Sequence, residues 1–182
     1  MVRMTRERPA FERMFRAHHA AVYRYVLRRV ERPAVDDVVG ETFLVAWRRY
    51  EELAGEPLPW LLGIARRVCA NHLRGRARRA ALRARLAAEP ARATTADARL
   101  VDGAVLAALA SLRDEDREAI LLIAWDGLDN RQAAKVLGCG VGAFAVRLHR
   151  ARRRLVRALD AATSEQALTN VEREGEVAHE LP

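Results

Sequence analysis

Between Val141 and Asp160 the chain carries six arginines against a single acid, Asp160, and no glutamate. Val141, Phe144, Leu148, Ala151 and Leu155 recur at steps of three and four, which predicts one buried stripe on a helix. The other faces then hold Arg147, His149, Arg150, Arg152, Arg153, Arg154 and Arg157. A short helical stretch over Asn130–Leu137 and a glycine-bearing turn, Gly138-Cys139-Gly140, precede it. That order is a helix-turn-helix pattern. A helix buried on one side and arginine-rich elsewhere suits a DNA major groove, where base edges and phosphates both await cationic donors. A merely solvated helix would balance these cations with acids, and this one does not.

Other chemistry is poorly served. The histidines (18, 19, 72, 149 and 179) are scattered, no serine or cysteine has a base near it in sequence, and no phosphate-binding loop appears. No catalytic set, cofactor or metal site is expected, and the reading is not that of an enzyme. Cys69 and Cys139 stand far apart, without partners at metal-ligand spacing, a usage that suits a reducing cytosol.

The 182 residues carry a net charge of +8, and 51% of them are hydrophobic. One domain or two small ones fit this length, with core enough for each. The sequence pI near 10.7 points to a polyanionic partner. Lys135 is the only lysine, so the charge is arginine, whose fork matches phosphates and guanine edges. The N-terminal stretch lacks the apolar core of a signal peptide, and no run reaches 18 apolar residues. A cytoplasmic protein without membrane insertion is expected.

Helical periodicity fills nearly the whole chain. One helix is expected over about Phe11–Val30, stopping near Pro33, and a second over Val35–Tyr50 with Asp36 and Asp37 in its first turn, where carboxylates oppose the helix dipole. Gly55, Pro57 and Pro59 mark a loop over 51–59, and a third helix starts at Trp60. From about Arg76 the large apolar residues thin out, and periodicity resumes at Leu100. The expected organisation is all-α: a helical domain over 1–79, a flexible basic linker over 80–99, and a second helical domain over 100–162. Residues 163–182 hold five glutamates and one arginine, for a net charge of −4, and are expected to be a disordered acidic tail.

The strings VDDVVGETFLVAWRRY (35–50) and PLPWLLGIARRVCANHLRGRARR (57–79) resemble the second region of bacterial RNA polymerase sigma factors. LASLRDEDREAILLIAWDGLDNRQAAKVLG followed by VGAFAVRLHRARRRL resembles their fourth region. The pair in this order is similar to the small extracytoplasmic-function (ECF) group of the sigma-70 superfamily. The resemblance implies a transcription initiation factor that binds core RNA polymerase, recognises −10 and −35 promoter elements and promotes melting. It implies that Asp37, Gly40, Glu41, Phe43 and Trp47 meet the clamp helices of the largest polymerase subunit, while the second domain meets the flap of the second-largest. It further implies that Arg66, Arg67, Asn71, Arg74 and Arg76 hold the −10 strand, beside a loop that accepts flipped bases. The −35 element would then fall to Asn130, Arg131, Ala145, Val146, Arg147, His149, Arg150, Arg152 and Arg153. Family members often carry hydroxyl or polar residues where this chain has Ala143, Ala145 and Val146, which implies either reading through thymine methyls and DNA shape or a weak −35 specificity. An anti-sigma factor is a further implied partner.

A stand-alone helix-turn-helix regulator is the rival. It would bind palindromic operators as a two-fold dimer without polymerase, and would account for the C-terminal half alone. An adaptor that binds polymerase without opening promoters would have no use for the basic helix after Trp60.

Overall fold

The structure is a computed structural model that describes residues 3–86 and 103–179, with side chains over 8–82 and 103–161. Seven α-helices carry it: α1 (Arg3–Leu27), α2 (Val35–Arg48), α3 (Pro57–Leu86), α4 (Gly103–Ser111), α5 (Asp114–Ala124), α6 (Asn130–Leu137) and α7 (Val141–His179). Among the described residues there is no strand, so the all-α expectation holds. Among the described residues, no helix is long and apolar enough to cross a membrane.

By compactness the chain forms two units, one of residues 1–97 with Arg131–Cys139, the other of 98–130 with 140–182. In the first, α1, α2 and α3 pack pairwise on one another. Val22, Tyr25 and Val26 of α1 meet Val35, Val38 and Val39 of α2 and Leu61, Leu62 and Ala65 of α3 in a core closed to water. Thr42 is fully buried there because its hydroxyl donates to the Val38 carbonyl at 2.7 Å, which satisfies the polar atom locally. In the second unit α4 and α5 both pack on α7. Leu109, Ala119, Ile120 and Leu122 are buried there, as are Phe144, Leu148 and Ala151.

Several boundaries differ from the sequence expectation. Helix α1 begins at Arg3 rather than near Phe11, because Arg, Met and Glu before it are good helix formers. It stops at Leu27, and a 3₁₀ turn over Arg32–Ala34 with Pro33 leads into α2. Helix α2 ends at Arg48, short of Tyr50, and α3 begins at Pro57, since proline is well placed in a first helical turn. Helix α3 continues to Leu86, so the first seven residues of the expected linker are helical. The rest of that linker lies outside the described residues. Helix α6 starts and stops where the sequence placed it.

Helix α7 runs unbroken to His179, across the point where the charge changes sign. The backbone expected to be a disordered tail is therefore helical as far as that residue. Alanine, leucine, glutamate and glutamine supply the propensity.

The turn between α6 and α7 follows from one glycine. Gly138 has φ +68, the left-handed region that a side chain resists. The Gly138 N–H reaches the Lys135 carbonyl at 3.2 Å and the Cys139 N–H reaches that of Ala134 at 3.0 Å. This pair of bonds is a Schellman motif, which closes the end of α6.

Candidate functional site

On α2, Asp37, Gly40 and Glu41 are exposed and share one face at three- and four-residue steps. Leu44, seven residues after Asp37, extends that face and is 48% exposed. Sequence reasoning passed over Leu44, although its spacing from Asp37 and Glu41 already put it on the same face.

Phe43 lies on the opposite face and is buried. Its ring meets that of Phe15 edge-on at 4.6 Å and stacks on His19 at 5.8 Å. Trp47 is half-buried, with its ring 4.9 Å from that of Phe11. The expected contact surface therefore divides: acids and Leu44 outward, Phe43 inward as core. The reason is the 3.6-residue period, which puts positions 37, 40, 41 and 44 together and turns 43 away.

On α3 a similar division appears. Arg67, Asn71, Arg74 and Arg78 are exposed at steps of four, three and four, one stripe along the helix. Asn71 Oδ1 accepts from Arg74 Nη2 at 2.6 Å, so these two present a joined polar surface. Arg66 is half-buried beside the stripe.

Arg76 is about two and a half turns from Arg67 and points the other way. Its Nη1 donates to Glu31 Oε2 at 2.6 Å, and His72 Nε2 lies 3.3 Å from Glu31 Oε1. Arg76 thus serves the junction of α1 and α2, not the stripe. Burial tends to raise the Glu31 carboxyl. Its own backbone N–H, His72 and the Arg76 charge outweigh that and hold it below the usual carboxylate range. Nothing local marks a contact across 45 residues, so sequence reasoning could not find it.

The loop before α3 opens with a 3₁₀ turn, Tyr50–Glu52. Arg49 forks onto Glu52 Oε2 through Nε at 2.9 Å and Nη2 at 2.5 Å. That hydrogen bond lowers the Glu52 carboxyl and raises the Arg49 guanidinium. Glu51, Glu52, Ala54, Gly55 and Glu56 are exposed, and Gly55 takes φ +83.

Helix α7 shows the sharpest segregation. Phe144, Leu148 and Ala151 are buried, whereas Ala145, Val146, His149, Arg150, Arg152 and Arg153 are exposed. Val141, expected in the buried stripe, is 46% exposed because it sits at the helix start, before the packed turns. Asn130 and Arg131 are exposed at the first turn of α6.

The six arginines of α7 are not equivalent. Arg147 Nη2 lies 3.3 Å from Glu115 Oε2, and Arg154 Nη1 donates to Asp116 Oδ2. Both acids stand in the first turn of α5, where they also complement the helix dipole. Among the described residues, Arg150, Arg152, Arg153 and Arg157 have no ion-pair partner. A basic helix whose outer cations are unneutralised can bind phosphates and base edges. Sequence reasoning saw Asp114–Asp116 as a helix start and missed their second role, which depends on how α5 packs against α7.

Among the described residues, no group of histidine, cysteine or acidic side chains could hold a metal ion.

Two protein-family descriptions match this chain. Sigma-70 region 2 matches residues 14–79, and Sigma-70, region 4 matches residues 102–155. The ECF RNA polymerase sigma factor SigC of Mycobacterium tuberculosis is 34% identical over 159 residues, covering 79% of this chain and 80% of its own length. The ECF RNA polymerase sigma factor BldN of Streptomyces coelicolor is 31% identical over 162 residues, covering 84% of this chain and 61% of its own. Among solved structures, the sigma factor RpoE in complex with the anti-sigma factor NepR from Bartonella quintana matches with a TM-score of 0.64 and 25% identity, covering 83% of this chain and 97% of that one. CnrH in complex with the cytosolic domain of CnrY matches with a TM-score of 0.60 and 29% identity, over 87% and 92%.

Proposed function

This chain belongs to the extracytoplasmic-function group of the sigma-70 family, and on that premise we propose how its residues divide the work of transcription initiation. In this reading α2 offers Asp37, Gly40, Glu41 and Leu44 to the clamp helices of the largest polymerase subunit. An exposed leucine with Glu41 one turn and Asp37 two turns before it on the same face is a suitable anchor, since apolar contact supplies affinity and charge supplies orientation. The flap of the second-largest subunit meets the second domain.

The exposed stripe Arg67, Asn71, Arg74 and Arg78, with Arg66 beside it, holds the non-template strand next to the −10 element. Extracting a base costs a few kcal/mol of stacking, which the loop over 51–59 must offset. Residues 80–99 join the two regions as a basic connector that follows nucleic acid.

Helix α7 enters the major groove at the −35 element. The single observation that carries this is its segregation: Phe144, Leu148 and Ala151 inward, with His149, Arg150, Arg152 and Arg153 outward. Asn130 and Arg131 meet a phosphate at the start of α6. A dimeric regulator would use residues 102–155 and leave the match over 14–79 without a role. The protein acts in the cytoplasm, where core polymerase and promoters are. An anti-sigma factor is a partner by analogy with the complex of RpoE and NepR.

Run-off transcription on promoter fragments, with core RNA polymerase and with or without this protein, tests the reading. Discrete transcripts that require the protein are the expected result. Tight binding to duplex operators in the absence of core, with no new transcripts, would overturn it in favour of the dimeric regulator.

A further inference from the structure

We propose that Val146 reads the 5-methyl group of a thymine in the −35 element, beside a guanine read by Arg150. The acids at the start of α5 hold Arg147 off the bases. The inference rests on α7 entering the major groove, as argued above.

Val146 is 51% exposed; Gly142 and Arg150 lie along its line on α7, and the acids Asp114, Glu115 and Asp116 of α5 border the same concavity on the side of Arg147. Gly142, one turn earlier on the same line, has no side chain and lets DNA approach. An isopropyl group there gains nothing from water or phosphate. The thymine methyl is the apolar group on a major-groove edge, and contact with it removes both surfaces from water.

Arg150 follows Val146 by four residues on the same face and is exposed, with no ion pair among the described residues. Its fork is therefore available for the O6 and N7 acceptors of guanine. Four residues of helix rise about 6 Å, which spans no more than about two base-pair steps of roughly 3.4 Å. The thymine and guanine must then lie within two base pairs of each other.

Arg147, the immediate neighbour of Val146, turns about 100° away around the helix. Its guanidinium lies 3.3 Å from the Glu115 carboxylate. Arg154, seven residues on and on the same flank, is bound to Asp116. Both guanidinia are drawn toward α5. There they can meet phosphates at the groove edge but leave the base edges to Val146, His149 and Arg150.

The test is run-off transcription by core polymerase and this protein on a library randomised at the −35 element. On the best promoter found, the thymine is then replaced by uracil, which differs only by the missing methyl. The wild type should favour thymine within two base pairs of guanine and lose about three- to five-fold on the uracil template. V146A should lose a similar factor on the thymine template and be indifferent to uracil, so that the two changes do not add. R150A should lose the guanine preference by about tenfold or more while staying sensitive to uracil. Val146 is exposed, so V146A should melt with the wild type.

Equal activity of the wild type on thymine and uracil overturns the proposal. So does a V146A protein that remains as sensitive to uracil as the wild type. Failure of the underlying reading looks different: no library member yields a transcript dependent on the protein, and the valine assignment then falls with it.

Discussion

Arg154 on α7 donates a hydrogen bond from Nη1 to Oδ2 of Asp116, in the first turn of α5. Asp116 is only 7% exposed, and among the described residues it is the one charged side chain in the buried set. A carboxylate so enclosed is costly without a cation, and Arg154 supplies one 38 residues away. The pair therefore ties α7, with its exposed arginines, to α5.

Removing either partner should cost stability unequally. Asp116→Ala removes a buried charge together with its demand for a partner, whereas Arg154→Ala leaves the carboxylate stranded. Arg154→Ala should lose about 2–3 kcal/mol and Asp116→Ala less, by urea unfolding of the full chain. Equal, negligible losses would mean that the pair is a surface contact in effect.

The two kinds of arginine on α7 should differ in their salt response. Arg153 has no ion-pair partner among the described residues, so Arg153→Ala should flatten the salt dependence of promoter binding by about one phosphate, a slope change near 0.9. Arg147 is shared with Glu115, so Arg147→Ala should change the slope by less. Measuring open-complex formation against salt concentration separates them. A larger change for Arg147 than for Arg153 would contradict this ranking.

The outward and inward faces of α2 should separate binding from folding. Reversing the charges of Asp37 and Glu41, or Leu44→Ala, should weaken association with core polymerase and leave the melting temperature within a degree or two. Phe43→Ala should instead destabilise the protein by about 3–5 kcal/mol, because a buried ring leaves a cavity. If Phe43→Ala folds normally and binds core poorly, the buried assignment is wrong.

The Glu31 cluster should add an acid-sensitive element to stability. Its carboxyl titrates lower in the folded protein than the ordinary value of 4.5, so the unfolded chain takes up the proton first as pH falls. The contribution is complete above that value and disappears as pH drops through the folded pKa. Glu31→Gln should therefore be less stable than the wild type at pH 6 and nearly equal to it well below pH 4, by urea unfolding at both. A constant difference across that range would remove Glu31 from the titrating set.

Much of this protein is determined by its linear order. The three- and four-residue recurrence of apolar side chains is a local property, so the helices, the helix-turn-helix and its glycine turn could be read without coordinates. Phe144, Leu148 and Ala151 went inward as their spacing required. Element ends were less legible, since capping and propensity compete within a turn or two: α3 ran on to Leu86 and α7 to His179. What only the tertiary structure decided is which charges are spent within the protein. Arg76 and Arg67 look alike in the sequence, yet one is bound to Glu31 and the other faces outward. Arg147 and Arg154 likewise differ from Arg150 and Arg153 only through Glu115 and Asp116. Such pairs form across 32 to 45 residues, where helix packing sets the distance and no local pattern records it.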